Sequence, residues 1–278
     1  MEQEVIQLLQ FTQAREDNTR KAAELKLLRL CAYPDLPFAL LSISTHSDVA
    51  EHIRQAALLT LNRVVVATWS PKFDEDFKGT IVLNDEAKAK VRHQVLAICI
   101  GDDGGQVGNR KVKNAASLVA SKIAGVDFPD SWPDLLPQLL RILSGNTSDL
   151  QVHGALRVLT DLVESGFSEE QFFAVARDLV SGLQHVATNV QRKPILRALA
   201  ISVFRACFDT LEMVMEDHKF AVKAFLDQAL QGWMAFFIET LRIPLPPTPR
   251  EDEERQEEGN PSQWRGLIAL KLQVVKVR

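Results

Sequence analysis

Six histidines, three cysteines and a glycine-rich loop are the residues of this 278-residue chain best suited to chemistry. His46, His52, His93, His153, His185 and His218 are scattered, with no HExxH spacing and no cysteine pair beside them, so the pattern supplies no zinc ligand set. Cys31, Cys99 and Cys207 lie far apart, each in an apolar segment, and read as buried free thiols of a reducing compartment. Gly101-Asp-Asp-Gly-Gly-Gln-Val-Gly108 has the glycines of a phosphate loop. It follows a helical segment, not a strand, and lacks the Gly-Lys-Ser/Thr ending, so it reads as an exposed turn. Serine, cysteine, histidine and acid converge in no nucleophile motif. These residues point to no catalytic group, no metal and no cofactor. The expectation is a protein that is not an enzyme.

Charge is the next resource. Glu251, Asp252, Glu253, Glu254, Glu257 and Glu258 form an acidic run inside a loop, 244–261, that opens with the proline-rich Pro244–Arg250. Like charges and prolines make such a run a solvated linker, and one that attracts basic partners by long-range electrostatics. The net charge is −4 and the pI about 5.9, and no stretch concentrates Lys and Arg as a nucleic-acid footprint would, so direct DNA or RNA binding is not expected. The N-terminus, MEQEVIQLLQ, begins with acids and does not read as a signal peptide. No run reaches the ~18 apolar residues of a membrane span. The expected setting is cytosol, nucleus or both.

The elements that carry these residues follow from period and punctuation. Hydrophobic residues make up 46% of the chain, helix formers dominate, and strand-like alternation is rare, which favours an all-α fold. Ile53, Ala56, Ala57, Leu61, Val64 and Val65 recur at helical spacing, as do Leu196, Leu199, Ala200, Val203, Phe204 and Cys207. Breaks at Tyr33-Pro34, Ser70-Pro71, the glycine-rich loop and Gly166 divide the chain into twelve helices. Ser168 with Gln171 spells a capping box. Ser131 is expected to cap a helix over Ser131–Leu143 with Pro133 and Asp134 in its first turn. Twelve helices in pairs give about 46 residues per pair, the period of HEAT and armadillo repeats. The expected architecture is a right-handed α-solenoid of about six HEAT-type antiparallel helix pairs, whose faces are buried sequentially.

Two stretches resemble a known family. AELKLL (Ala23–Leu28), FALLSIS (Phe38–Ser44), IRQAALLTLNRVV (Ile53–Val65) and WSP (Trp69–Pro71) are similar to the N-terminal module of importin-β receptors. VKNAASLVASKIAGVDFPDSWPDLLPQLL, Val112–Leu140, is similar to the junction of the third and fourth karyopherin repeats, and its spelling most resembles the importin nine branch. In its own physics, Pro129 and Pro133 bracket a corner from which Trp132 offers a large apolar surface to a groove between hairpins.

The resemblance implies a nuclear import receptor shuttling between cytoplasm and nucleus. It implies Ran-GTP on a concave face built from second helices, phenylalanine-glycine nucleoporins on outer helices, and basic cargo such as core histones or the TATA-binding protein. By alignment to the motif, Arg54, Asn62, Arg63, Lys111, Lys113 and Asn114 would face Ran; the family commonly carries Lys where this chain has Asn62. The acids Glu251 to Glu258 would meet cargo. Repeats 1–145 would form the Ran-binding part and 146–278 the rest of the fourth to sixth repeats. Family members are much longer, so the resemblance implies an N-terminal fragment. A HEAT-repeat scaffold without a transport role shares the periodicity.

Overall fold

The computed structural model describes residues 1–101, 110–165, 167, 169–213, 219–245, 247 and 263–277. They form two compact units, Met1–Trp132 and Pro133–Arg278.

The first unit holds α1 (Glu2–Phe11), α2 (Asp17–Leu30), α3 (Leu36–Thr45), α4 (Glu51–Thr68), α5 (Asp85–Ile100) and α6 (Arg110–Asp127). A 3-10 turn over Pro71–Asp76 occupies part of the loop after α4. Successive helices pair, and α1, α3 and α5 form one row while α4 packs directly on α6. Five residues of the apolar stripe read for α4, Ile53, Ala57, Leu61, Val64 and Val65, are buried to within 2% exposure together with Leu58, whereas Ala56 is half-buried. Each of the Ile, Leu and Val side chains stabilises by about 1.5–3 kcal/mol relative to exposure. Small residues on α6, Ala115, Ala116, Ala120 and Ala124, are equally buried and let α4 and α5 approach closely. Asn84 caps α5 by accepting from the Ala87 amide at 2.8 Å.

The second unit holds α7 (Leu135–Ser144), α8 (Asp149–Ser165), α9 (Glu169–Thr188), α10 (Pro194–Met213), α11 (Lys219–Arg242) and α12 (Gln263–Lys276). Here α7 packs on α8 and α9, α10 on α8, α9 and α12, and α11 on α9 and α12. Ser148 and Gln151 make a reciprocal capping box for α8, with bonds of 3.1 and 3.3 Å. Arg192 ties the α7–α8 loop to the α9–α10 loop. Its guanidinium donates to Thr147 O at 2.6 Å, Gly145 O at 3.2 Å and the Asp149 carboxylate at 3.2 Å. Phe204 stacks on Trp233 at 3.9 Å, extending the core between α10 and α11.

Three expectations need correction. The helix expected from Ser131 begins at Leu135, and the side chain of Ser131 is no cap. The amides of Ser131 and Trp132 donate instead to the Asp127 carbonyl, at 2.7 and 3.0 Å, so this segment closes the end of α6. Proline disfavours the α conformation in the residue before it, and Pro133 therefore keeps Trp132 out of a helix. The third correction concerns Cys31, which is half-buried at the end of α2, whereas Cys99 and Cys207 are fully buried. Ser168, Gly166, His218 and residues 102–109 lie outside the described residues.

Candidate protein-interaction surface

A helix advances about 100° per residue, so α4 divides by angle into a buried side and an opposite one. His52, Leu59 and Arg63 are exposed on the second side. On α6 the corresponding stripe is Lys111, Leu118 and Lys122, also exposed. Leu59 at 43% and Leu118 at 37% exposure are large apolar side chains set among cations on two helices in contact. On the other flank of α4 a groove of about 470 Å³ separates it from α2. Leu27 and Leu28 of α2 and Ala56, Leu59 and Arg63 of α4 are among its lining residues. Apolar anchors ringed by polar and charged groups are what a protein partner's surface requires.

The six positions aligned to the GTPase contact do not share this face. Arg63 and Lys111 belong to it. Asn62 and Asn114 are half-buried at its margin, and the side-chain oxygen of each is buried without a hydrogen-bond donor. Arg54 and Lys113 are placed elsewhere. Arg54 sits half a turn around α4 from Arg63 and lines a different cleft, together with Lys113. Lys113 is 9% exposed, and its ammonium donates to the Gly101 carbonyl at 2.6 Å, stabilising the C-terminal end of α5. Arg54 and Lys113 are therefore set apart from Arg63 and Lys111. The acidic positions Glu251, Asp252, Glu253, Glu254, Glu257 and Glu258 lie outside the described residues.

The face is held in place by a polar knot behind it. At the end of α4 the Trp69 indole N–H lies 3.1 Å from both carboxylate oxygens of Asp127, at the end of α6. Arg92 of α5 donates to the same carboxylate at 2.7 Å, and this pair is nearly dry, at 13% and 10% side-chain exposure. Lys88 stands over the Trp69 ring at 5.4 Å. WSP and VDFPDSWP, the two stretches carrying the resemblance, thus meet in space. Their joint role is to fix α4, α5 and α6 in register.

Known proteins resemble this chain in sequence and in fold. Residues 23–100 match the importin-beta N-terminal domain. Importin subunit beta-5 of Schizosaccharomyces pombe is 32% identical over 248 residues, covering 88% of this chain and 24% of that protein. These matches support membership of the importin-β family for this chain. Importin-9 of Drosophila melanogaster is 25% identical over 161 residues, 57% of this chain and 15% of that protein. The chain spans about a quarter of the length of the fission-yeast importin. Among solved structures, Kap95 in its complex with Nup1 superposes with a TM-score of 0.69 at 16% identity, over 99% of this chain and 29% of that one. Kap95p in a study of the RanGDP switch loops gives 0.58 at 18% identity, over 88% and 32%. The importin fold class is therefore shared: all-α, a solenoid of HEAT-type helix pairs.

Leu28, Leu59, Leu118 and Lys122 are surface features that motif alignment passes over. Their signal was in the sequence. Leu59 lies off the stripe Ile53–Ala57–Leu61–Val64, and an apolar residue outside the buried stripe of an amphipathic helix is available to a partner. Among the described residues, no group of three or more His, Cys, Asp or Glu could hold a metal, and no helix is long and apolar enough to cross a membrane.

Proposed function

We propose that this chain supplies the Ran-binding repeats of a nuclear transport receptor, within residues 1–145. The observation that carries the reading is the stripe of Leu59 and Arg63 on α4 continued by Lys111, Leu118 and Lys122 on α6. The family match at 23–100 covers its α4 part, and the Kap95p structure that concerns the RanGDP switch loops supports taking that GTPase as the partner. The γ-phosphate of GTP orders a GTPase's switch segments, so a fixed surface can select that nucleotide state by shape and charge. Of the six aligned positions, Arg63 and Lys111 contact Ran in this reading. Asn62 and Asn114 are half-buried at the margin of that face.

The rest of the reading concerns the whole receptor. It shuttles between cytoplasm and nucleus, uses phenylalanine-glycine nucleoporins as the Kap95:Nup1 structure suggests for that relative, and carries basic proteins. Likeness to the importin nine branch favours core histones and the TATA-binding protein as cargo, with the acidic run from Glu251 to Glu258 drawing them in by charge. The test is titration of the purified chain with Ran loaded with GTP and with GDP at matched salt. Tighter binding of the GTP form is expected. Equal or undetectable affinity for both forms would leave a HEAT-repeat scaffold as the better account.

A further inference from the structure

The helix α2 is well made but loosely seated. Within it Asp17 pairs with Arg20 and with Lys21, and an acid in its first turn and Arg29 in its last suit the helix dipole. Toward its neighbours it buries only Ala23 and Leu27. The ion pair that ties it to α1, Lys26 with Glu4 at 3.3 Å, is exposed on both sides and adds little. Whereas α4 and α6 pack directly on each other, α2 and α4 stand apart across the groove of about 470 Å³. Glu24, Leu28 and Cys31 line its α2 wall, and Ala56, Leu59 and Arg63 its α4 wall. Leu28 is 59% exposed, and neither Glu24 nor Arg63 has a hydrogen bond or ion pair among the described residues. A helix held by so few buried side chains leaves its seat at low free-energy cost while its internal bonds survive.

We propose that α2 is a latch, which swings as a rigid helix about its flanking turns, 12–16 and 31–35, and closes on α4. In the closed state Leu28 covers Leu59, and the Glu24 carboxylate accepts hydrogen bonds from the Arg63 guanidinium. Burial of the two leucines favours closing, and solvation of the two charges favours opening, so the states lie near each other in free energy. Closure takes Leu59 and Arg63 out of the surface offered to a partner. The apparent affinity of that surface is then reduced by the fraction of chains that are latched. As a control on GTPase binding the latch rests on the Ran reading. As a motion of α2 it does not.

Cys31 reports the latch, because it lines the groove and is half-buried, while Cys99 and Cys207 are fully buried. The experiment labels the purified chain with N-ethylmaleimide, an uncharged thiol reagent, and follows each cysteine by mass spectrometry of its peptide. No GTPase enters the measurement, so failure of the latch and failure of the Ran reading are told apart. Glu24→Lys and Arg63→Glu should each speed labelling of Cys31 about threefold, the scale of a surface ion pair. The exchanged pair, Glu24→Lys with Arg63→Glu, should return the rate to that of the natural chain. A groove that does not move gives another pattern. There the new charge acts only on the thiol: a lysine favours the reactive thiolate and a glutamate disfavours it, so the two single variants shift the rate in opposite directions. Opposite shifts, no shift, or an exchanged pair as fast as either single variant overturns the proposal. So does acceleration at Cys99 and Cys207 equal to that at Cys31, which reports unfolding of the whole chain.

Discussion

Trp69 and Asp127 are 58 residues apart in the chain, and the indole N–H of one sits 3.1 Å from both carboxylate oxygens of the other. The bond joins the C-terminal ends of α4 and α6, the two helices that carry the proposed partner surface. Arg92 completes the link from α5. Removing Asp127 leaves a nearly dry guanidinium without its counter-charge, and removing the indole N–H leaves only one hydrogen bond unmade. The two losses differ in size.

Asp127→Ala should therefore cost about 3–5 kcal/mol, as breaking a buried pair from one side does. Trp69→Phe should cost about 1–3 kcal/mol, from the lost bond and a smaller ring in a site that is 2% exposed. Amide hydrogen exchange localises the effect: α4, α5 and α6 should exchange faster while α9 and α10 do not. Unchanged exchange in α4–α6 for Asp127→Ala would remove this carboxylate from the account of the fold.

Trp132 is 5% exposed at the close of the first unit, where its amide is tied to Asp127 O. Trp132→Ala should destabilise by about 3–5 kcal/mol, the usual range for truncating a buried aromatic. Urea denaturation followed by far-UV circular dichroism measures it. A loss below about 1 kcal/mol would show that the ring contributes little packing.

The two sides of α4 make separable predictions. Arg63→Glu with Lys122→Glu should weaken association with Ran-GTP about tenfold or more, because both side chains are exposed on the proposed face. Arg54→Gln should leave that affinity within about twofold, since Arg54 lines the opposite cleft. Titration of the variants decides the matter. A larger loss from Arg54→Gln than from the double reversal would place the GTPase on the other side of α4.

The thiols predict a pH effect. Burial pushes the Cys207 thiol far above its ordinary value of 9.0, and desolvation raises Cys31 as well. A group whose pKa is raised by folding contributes stability that is intact below the unfolded pKa and lost as pH climbs toward the folded one. Above pH 9.0 the unfolded chain gains by ionising Cys207 while the folded chain cannot. Stability should then fall by about 1.4 kcal/mol per pH unit more steeply than in Cys207→Ala. Denaturation midpoints of both proteins from pH 8 to 10.5 check this. Parallel curves would show that Cys207 does not titrate on unfolding.

Local physics made most of the helices legible. Eleven of the twelve expected helices begin within a few residues of the observed ones because periodicity, proline breaks and short loops act within a single turn. The exception, Ser131, shows the limit of reading caps by type. Ser131 precedes Pro133 in the right order for a cap, but the segment still belongs to the end of α6, through the Ser131 amide bond to Asp127 O, and the next helix starts only at Leu135. Ser148 and Gln151, which spell the same kind of signal as Ser168 and Gln171, do form their box.

Angular position was also present in the sequence, though motif alignment did not use it. Lys111 and Lys113 are two residues apart on α6, about 200° around the helix, so one can be exposed only if the other turns inward. Arg54 and Arg63 stand in the same relation on α4. What the sequence by itself determined is the set of helices and the stripe each must bury, since both follow from spacing along one element. Which stripe meets which neighbour was decided only in three dimensions. The meeting of Trp69 with Asp127, the anchoring of Lys113 to Gly101 and the exposure of Leu59 beside Leu118 all depend on the register of one helix against another. That register is set by the summed packing of many small apolar contacts, and no local pattern of residues records it.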